Sequence, residues 1–96
     1  MIKHIVCFKL KDSSDKSKQK AKEILLSMKG NVDTLKNIEV GTDFLCSDRS
    51  FDVILQVELE SREALDIYQN DKYHCDVVKA YMHENTIKSI AIDYDL

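Results

Sequence analysis

The stretch YQNDKYH, Tyr68 to His74, places a histidine and two tyrosines around a helix break, where packing alone asks for neither residue type. Asp71 is a good helix N-cap, so His74 falls at the third position of the helical piece that follows. The partial positive charge of a helix N-terminus disfavours imidazolium there. A neutral imidazole is what a general base requires, for instance to take a proton from a carbon next to a carbonyl. A second histidine, His4, lies in the opening run IKHIVCFKL on the face that carries Val6 and Phe8. From that face it can meet His74 across a pocket between sheet and helices. Each side chain also has a plain structural account. His74 can be a half-buried helix residue, His4 a hydrogen-bonded core histidine, and Tyr68 and Tyr73 packing aromatics with wet hydroxyls. Tyr81 and Tyr94 read as structural.

Other chemistries find less support. His4, His74 and His83 lack metal-ligand spacing, so no metal is expected. With two glycines in all, the chain has neither a Gly-rich phosphate loop nor a Gly-x-Ser-x-Gly elbow, which disfavours nucleotide-driven and acyl-serine chemistry. No cofactor is expected. Cys7, Cys46 and Cys75 are odd in number and far apart, as reduced thiols are. Cys7 and Cys46 sit in apolar, strand-like contexts and are expected to be small buried hydrophobes. Cys75 lies near a helix start, with no partner base or resolving Cys implied nearby.

Lys and Arg total 14 against 17 Asp and Glu, a net charge of -3 with the signs interspersed. Nucleic acid, whose phosphates demand a basic face, is not an expected partner. No apolar run approaches the roughly 18 residues of a membrane span. Lys3, His4 and Lys9 interrupt the opening run, unlike a signal peptide. A cytoplasmic location with no membrane partner is expected.

Periodicity supplies the elements that must position these residues. IKHIVCFKL alternates as a strand, with Ile2, His4, Val6, Phe8 and Leu10 on one face. From Ser14 as N-cap, Ala21, Ile24, Leu25 and Met28 follow helical spacing, and Gly30 supplies a stop. The lysines of KLKDSSDKSKQKAK, Lys18 and Lys22 among them, are expected on the solvated face. LKNIEVGTDFLC reads as a second strand, SDRS as a short hairpin turn, and FDVILQVELE as a third strand with Phe51, Val53, Leu55, Val57 and Leu59 on one face. Ser61 caps a second helix, REALDIYQN, and a further helical piece runs from about Tyr73 to Glu84. TIKSIAIDYDL closes as a fourth strand.

The order β-α-β-β-α-β predicts an α+β, ferredoxin-like fold: a four-stranded antiparallel sheet with both helices on one face. At 96 residues the chain fits one domain, residues 1–96. The uncovered sheet face is expected to hold Ile5, Cys7, Ile54, Leu45 and Ala91. Apolar surface of that size predicts a homodimer.

Five pieces in order, IKHIVCFKLKD, IEVGTDF, SDRSFDVILQVELES, ALDIYQNDKYH and SIAIDYDL, resemble the stress-responsive α/β-barrel (Dabb) domain family over essentially the whole chain. The resemblance implies a dimeric α/β barrel, two sheets closing on each other. It extends to plant olivetolic acid cyclase-type proteins, and so implies a cofactor-independent reaction in which His74 is the base, Tyr68 assists, and His4 matches the strand-one histidine. Many members carry His-Pro where this chain has Asp71-Lys72, so the rigid turn of Pro is absent. Two functions are therefore expected. In one, a homodimer binds a small apolar carbonyl-type ligand in a pocket between sheet and helices. In the other, it is a lyase or polyketide-cyclase-like enzyme with His74 as general base and Tyr68 or His4 on the enolate oxygen.

Overall fold

Strict alternation builds the centre of the sheet. Val53, Leu55, Val57 and Leu59 are buried along one strand, and the residues between them are half-buried on its other side. The computed structural model describes residues 1–96. Its elements are β1 Ile2–Leu10, α1 Asp15–Leu26, β2 Asn37–Thr42, β3 Val53–Leu59 and α2 Arg62–Gln69, then a π-helical segment His74–Lys79 that continues into α3 Ala80–Asn85, and finally β4 Thr86–Asp95. The four strands lie in the order β2-β3-β1-β4 with every neighbouring pair antiparallel. This is the expected ferredoxin-like sheet, with α1 packed on β2 and β3 and α2 on β3.

Local chemistry starts both long helices where the caps predict. Ser14 Oγ accepts the Ser17 N–H at 3.2 Å, and Ser61 Oγ accepts the Ala64 N–H at 3.1 Å. Each bond satisfies one of the donors that a helix start leaves unpaired. The core gathers Leu25 and Met28 from the α1 side, Val57 and Leu59 from β3, Tyr68 from α2 and Val78 from the π-helical segment. Burying side chains of this kind stabilises by about 1.5–3 kcal/mol each relative to exposure.

Several expectations need correction. β2 stops at Thr42 and β3 starts at Val53, so their connection is the ten-residue loop 43–52 and not the four-residue turn SDRS. Asp52 explains the late start: its buried carboxylate accepts the Leu10 N–H at 2.8 Å, and its own N–H donates to the Phe8 carbonyl at 2.8 Å. Leu45, 69% exposed, and Cys46, which turns the chain at φ 55°, lie in this loop and take no place on the sheet. Ala91 faces the other way from expectation. It pairs with Val6 on the helix-covered side, while Ile90 and Ile92 pair with Cys7 and Ile5 on the open side.

Lys18 is not solvated. It is 3% exposed, and its Nζ donates to the Asp43 carbonyl at 3.0 Å, tying α1 to the loop 43–52. Its methylene stem lies against the core while the ammonium finds a backbone partner. Lys18→Ala is expected to lower stability by about 1–2 kcal/mol, and Lys20→Ala, on the exposed face, by less than about 0.5 kcal/mol. Thermal unfolding of the two variants measures the difference.

Candidate functional site

His4 sits mid-strand in β1, opposite Val57 of β3 on one side and Asp93 of β4 on the other. Its Nδ1 is hydrogen-bonded to Asp93 Oδ1. A carboxylate only accepts, so the bond holds a proton on Nδ1 and turns Nε2 away from the aspartate. Tyr68, in the last turn of α2, is fully buried and stands between the two histidines. Its ring meets His4 edge-on at a centroid distance of 5.8 Å and His74 at 4.5 Å with the planes tilted by 36°. The Tyr68 hydroxyl donates to Met28 Sδ at 3.7 Å, a weak acceptor. Burial pushes the Tyr68 phenol well up, so it keeps its proton and serves only as a neutral donor.

His74 opens the π-helical segment, and Asp71 caps its start by accepting the His74 N–H at 3.1 Å. The imidazole pKa lies below its ordinary 6.5, chiefly through burial and then through the charges of Lys79 and His4; Asp71 and the Gln69 carbonyl oppose the shift. The Nδ1 atom is buried without a partner.

These side chains share one pocket of about 510 Å³. It opens because α1 and α2 cover β2 and β3, leaving the β1–β4 half of the sheet under the π-helical segment and α3 alone. Val6, Phe8, Leu25, Leu55, Val78 and Met82 make its apolar wall. A volume in this range and an apolar wall set with polar and titratable side chains suit a small organic ligand. All three candidates from the sequence, His4, Tyr68 and His74, line it. Tyr73 does not: its hydroxyl donates to Ser27 Oγ at 2.8 Å, which ties the helix start to the end of α1. Cys75, half-buried, donates through Sγ to the Gln69 carbonyl at 3.2 Å.

Asp93, the partner of His4, escaped the sequence reading. The signal was the alternation of TIKSIAIDYDL, which, phased on Ile90 and Ile92, sets Ala91 and Asp93 on the opposite face. No cluster of His, Cys, Asp or Glu has the arrangement of a metal site. No helix is long and apolar enough to cross a membrane.

Residues 2–96 match the family model described as Stress Responsive A/B Barrel Domain. No curated protein matches the chain. Among solved structures, a protein of Arabidopsis thaliana is 19% identical with a TM-score of 0.85, over 100% of this chain and 95% of its own. A dimeric protein of unknown function and ferredoxin-like fold from Bacteroides fragilis is 20% identical with a TM-score of 0.81, covering 99% and 95% of the two chains. A hydroxynitrile lyase from Passiflora edulis is 17% identical with a TM-score of 0.81, covering 99% and 92%.

Proposed function

This chain belongs to the stress-responsive A/B barrel domain family, and from that premise we propose that it is a homodimer whose sheet-helix pocket binds a small apolar carbonyl compound. The observation that carries the reading is His74 Nδ1, a buried polar atom with no protein partner on the wall of an apolar pocket. An unmet polar atom costs about 1–3 kcal/mol, a cost that a bound ligand relieves. Titrating 2-heptanone into the protein while following the imidazole carbon-bound protons by NMR tests the idea, with His74→Gln giving the assignment. The His74 resonances should move on binding. A His74 that titrates at 6.5 and ignores the ketone would sink the proposal.

The dimer rests on the uncovered sheet face. Ile5, Cys7 and Ile54 lie there with Ile90 and Ile92, which are 51% and 59% exposed. Contiguous apolar surface of this kind marks an interface, and the Bacteroides fragilis neighbour is itself dimeric. Sedimentation at micromolar concentration should give one species of twice the 11.1 kDa chain mass. A stable folded monomer would overturn the assignment.

One observation favours the step from binding to catalysis: His74 lines the pocket, and its burial favours the neutral imidazole that a base requires. In this second reading the His74 imidazole removes a proton from the carbon beside the ligand carbonyl. The enolate oxygen is then held by the Tyr68 hydroxyl or by His4, which Asp93 orients. The Passiflora edulis neighbour is a lyase, which agrees with such chemistry on this fold.

The His74 environment also predicts a pH dependence. Its folded-state pKa is lower than 6.5, so as pH falls below about 6.5 the unfolded chain binds its proton first. Stability from this residue is whole above that pH and is lost as the pH drops toward the folded value. The exposed Asp12 and Asp95, also lowered, act only further down, below their ordinary 3.8. Chemical denaturation between pH 7 and pH 5 should show a shallower loss in His74→Gln than in the native protein.

A further inference from the structure

The lining of the pocket differs in charge from the molecule as a whole. The chain is acidic, with a net charge of -3, yet Lys79 and His83, one helical turn apart, both line the cavity. They flank Val78 and Met82, which are buried on the pocket side. Neither has an acidic partner within ion-pair distance. The one carboxylate on the pocket wall is Asp93, already bound to His4. Thr86, where α3 gives way to β4, also lines the pocket, and its Oγ1 is buried without a partner. An ammonium, an imidazole and an unmet hydroxyl thus line the same cavity from the helical segment and the start of β4, while the other lysine of the lining, Lys88, stands over the Phe51 ring at 6.0 Å.

We propose that Lys79, His83 and Thr86 form a carboxylate subsite, so that the ligand is an apolar carbonyl compound that also carries a carboxylate. This rests on the reading of the pocket as a carbonyl-ligand site and names the class of ligand. The lysine and histidine supply N–H donors to the carboxylate oxygens, and the threonine hydroxyl donates a third bond. His74 and Lys79 stand at the two ends of the π-helical segment, roughly one helical turn or about 5 Å apart along the axis. The carboxylate and the carbonyl therefore stand several carbons apart, joined by a chain against Val78 and Met82.

A matched pair of probes separates the two levels of the argument. Octanoate and octanamide have the same length and nearly the same shape but differ in charge. In NMR titrations of the full chain near neutral pH, octanoate should bind about tenfold more tightly, and the preference should shrink as salt rises. Replacing both Lys79→Gln and His83→Gln should abolish the preference, with octanamide as the measure of apolar binding and folding. Thr86→Val should weaken octanoate severalfold, and an unchanged affinity would remove the hydroxyl from the subsite. Equal affinities in the native protein, or a preference that survives the double replacement, would overturn the subsite while leaving the carbonyl pocket in place. Binding of neither probe, alongside a His74 that ignores 2-heptanone, would overturn both.

Discussion

His74→Gln is expected to slow the exchange of the protons beside the carbonyl of a bound ketone by about 10²–10⁴-fold. The native protein in D₂O should deuterate 2-heptanone at those carbons, and loss of the ketone's ¹H signal measures the rate. Glutamine keeps the approximate volume and a hydrogen-bonding end but has no basic lone pair at neutral pH. The pocket should therefore survive while the base is lost. Tyr68→Phe provides a second arm. It removes only a hydroxyl that donates to Met28 Sδ at 3.7 Å, so folding should be little changed. If that hydroxyl holds the enolate oxygen, exchange should fall by about 10²-fold. Equal exchange in native protein and His74→Gln would end the catalytic reading and leave the binding reading standing.

Leu55→Asp is expected to destabilise the protein by more than about 4 kcal/mol, enough to leave little folded chain at room temperature. Leu55 is 2% exposed in the middle of β3, with Val6 opposite it on β1 and Val40 on β2. The residues beside it in the sheet, Val6 and Val40, are apolar, so a carboxylate there must either stay charged among them or take up a proton. Lys20→Ala, on the exposed face of α1, is the control and should shift the unfolding midpoint hardly at all. Comparable losses in the two variants would refute the placement of β3 at the sheet centre.

How much of this was legible in the sequence depended on the range of the interaction concerned. β3 could be read because its apolar residues alternate without a break, a signal local to seven residues. Ser14 and Ser61 could be read as caps because a cap bonds within three residues. The Asp71 cap belongs to the same local class, whereas the lowered pKa of His74 comes chiefly from burial, which only the folded chain supplies. Asp93 could not be found that way. Its partner lies 89 residues away, and the pairing appears only once β4 is laid against β1 in register. The misplacement of Ala91 has the same origin: in IAI either phase of the alternation is apolar, and only pairing with Ile5, Val6 and Cys7 decides it. Lys18 was misread because composition scores its charge and overlooks the hydrocarbon stem that the loop 43–52 covers. The pocket itself had no local signature. It is a gap left by helices that crowd one half of the sheet.

The π-helical segment His74–Lys79 has a consequence for how this site could arise in evolution. A π-helical turn holds one residue more than the α-helix around it. Removing that extra residue between Cys75 and Lys79 would let the segment relax to regular α-helix, and because a regular turn covers the same angle with one residue fewer, His74 would keep its face on the pocket while Met82 stayed in the core. A one-codon insertion into a regular helix would make the present turn by the same route. The histidine is thus tolerant of a length change at this point of the chain, which a scan of substitutions would never sample.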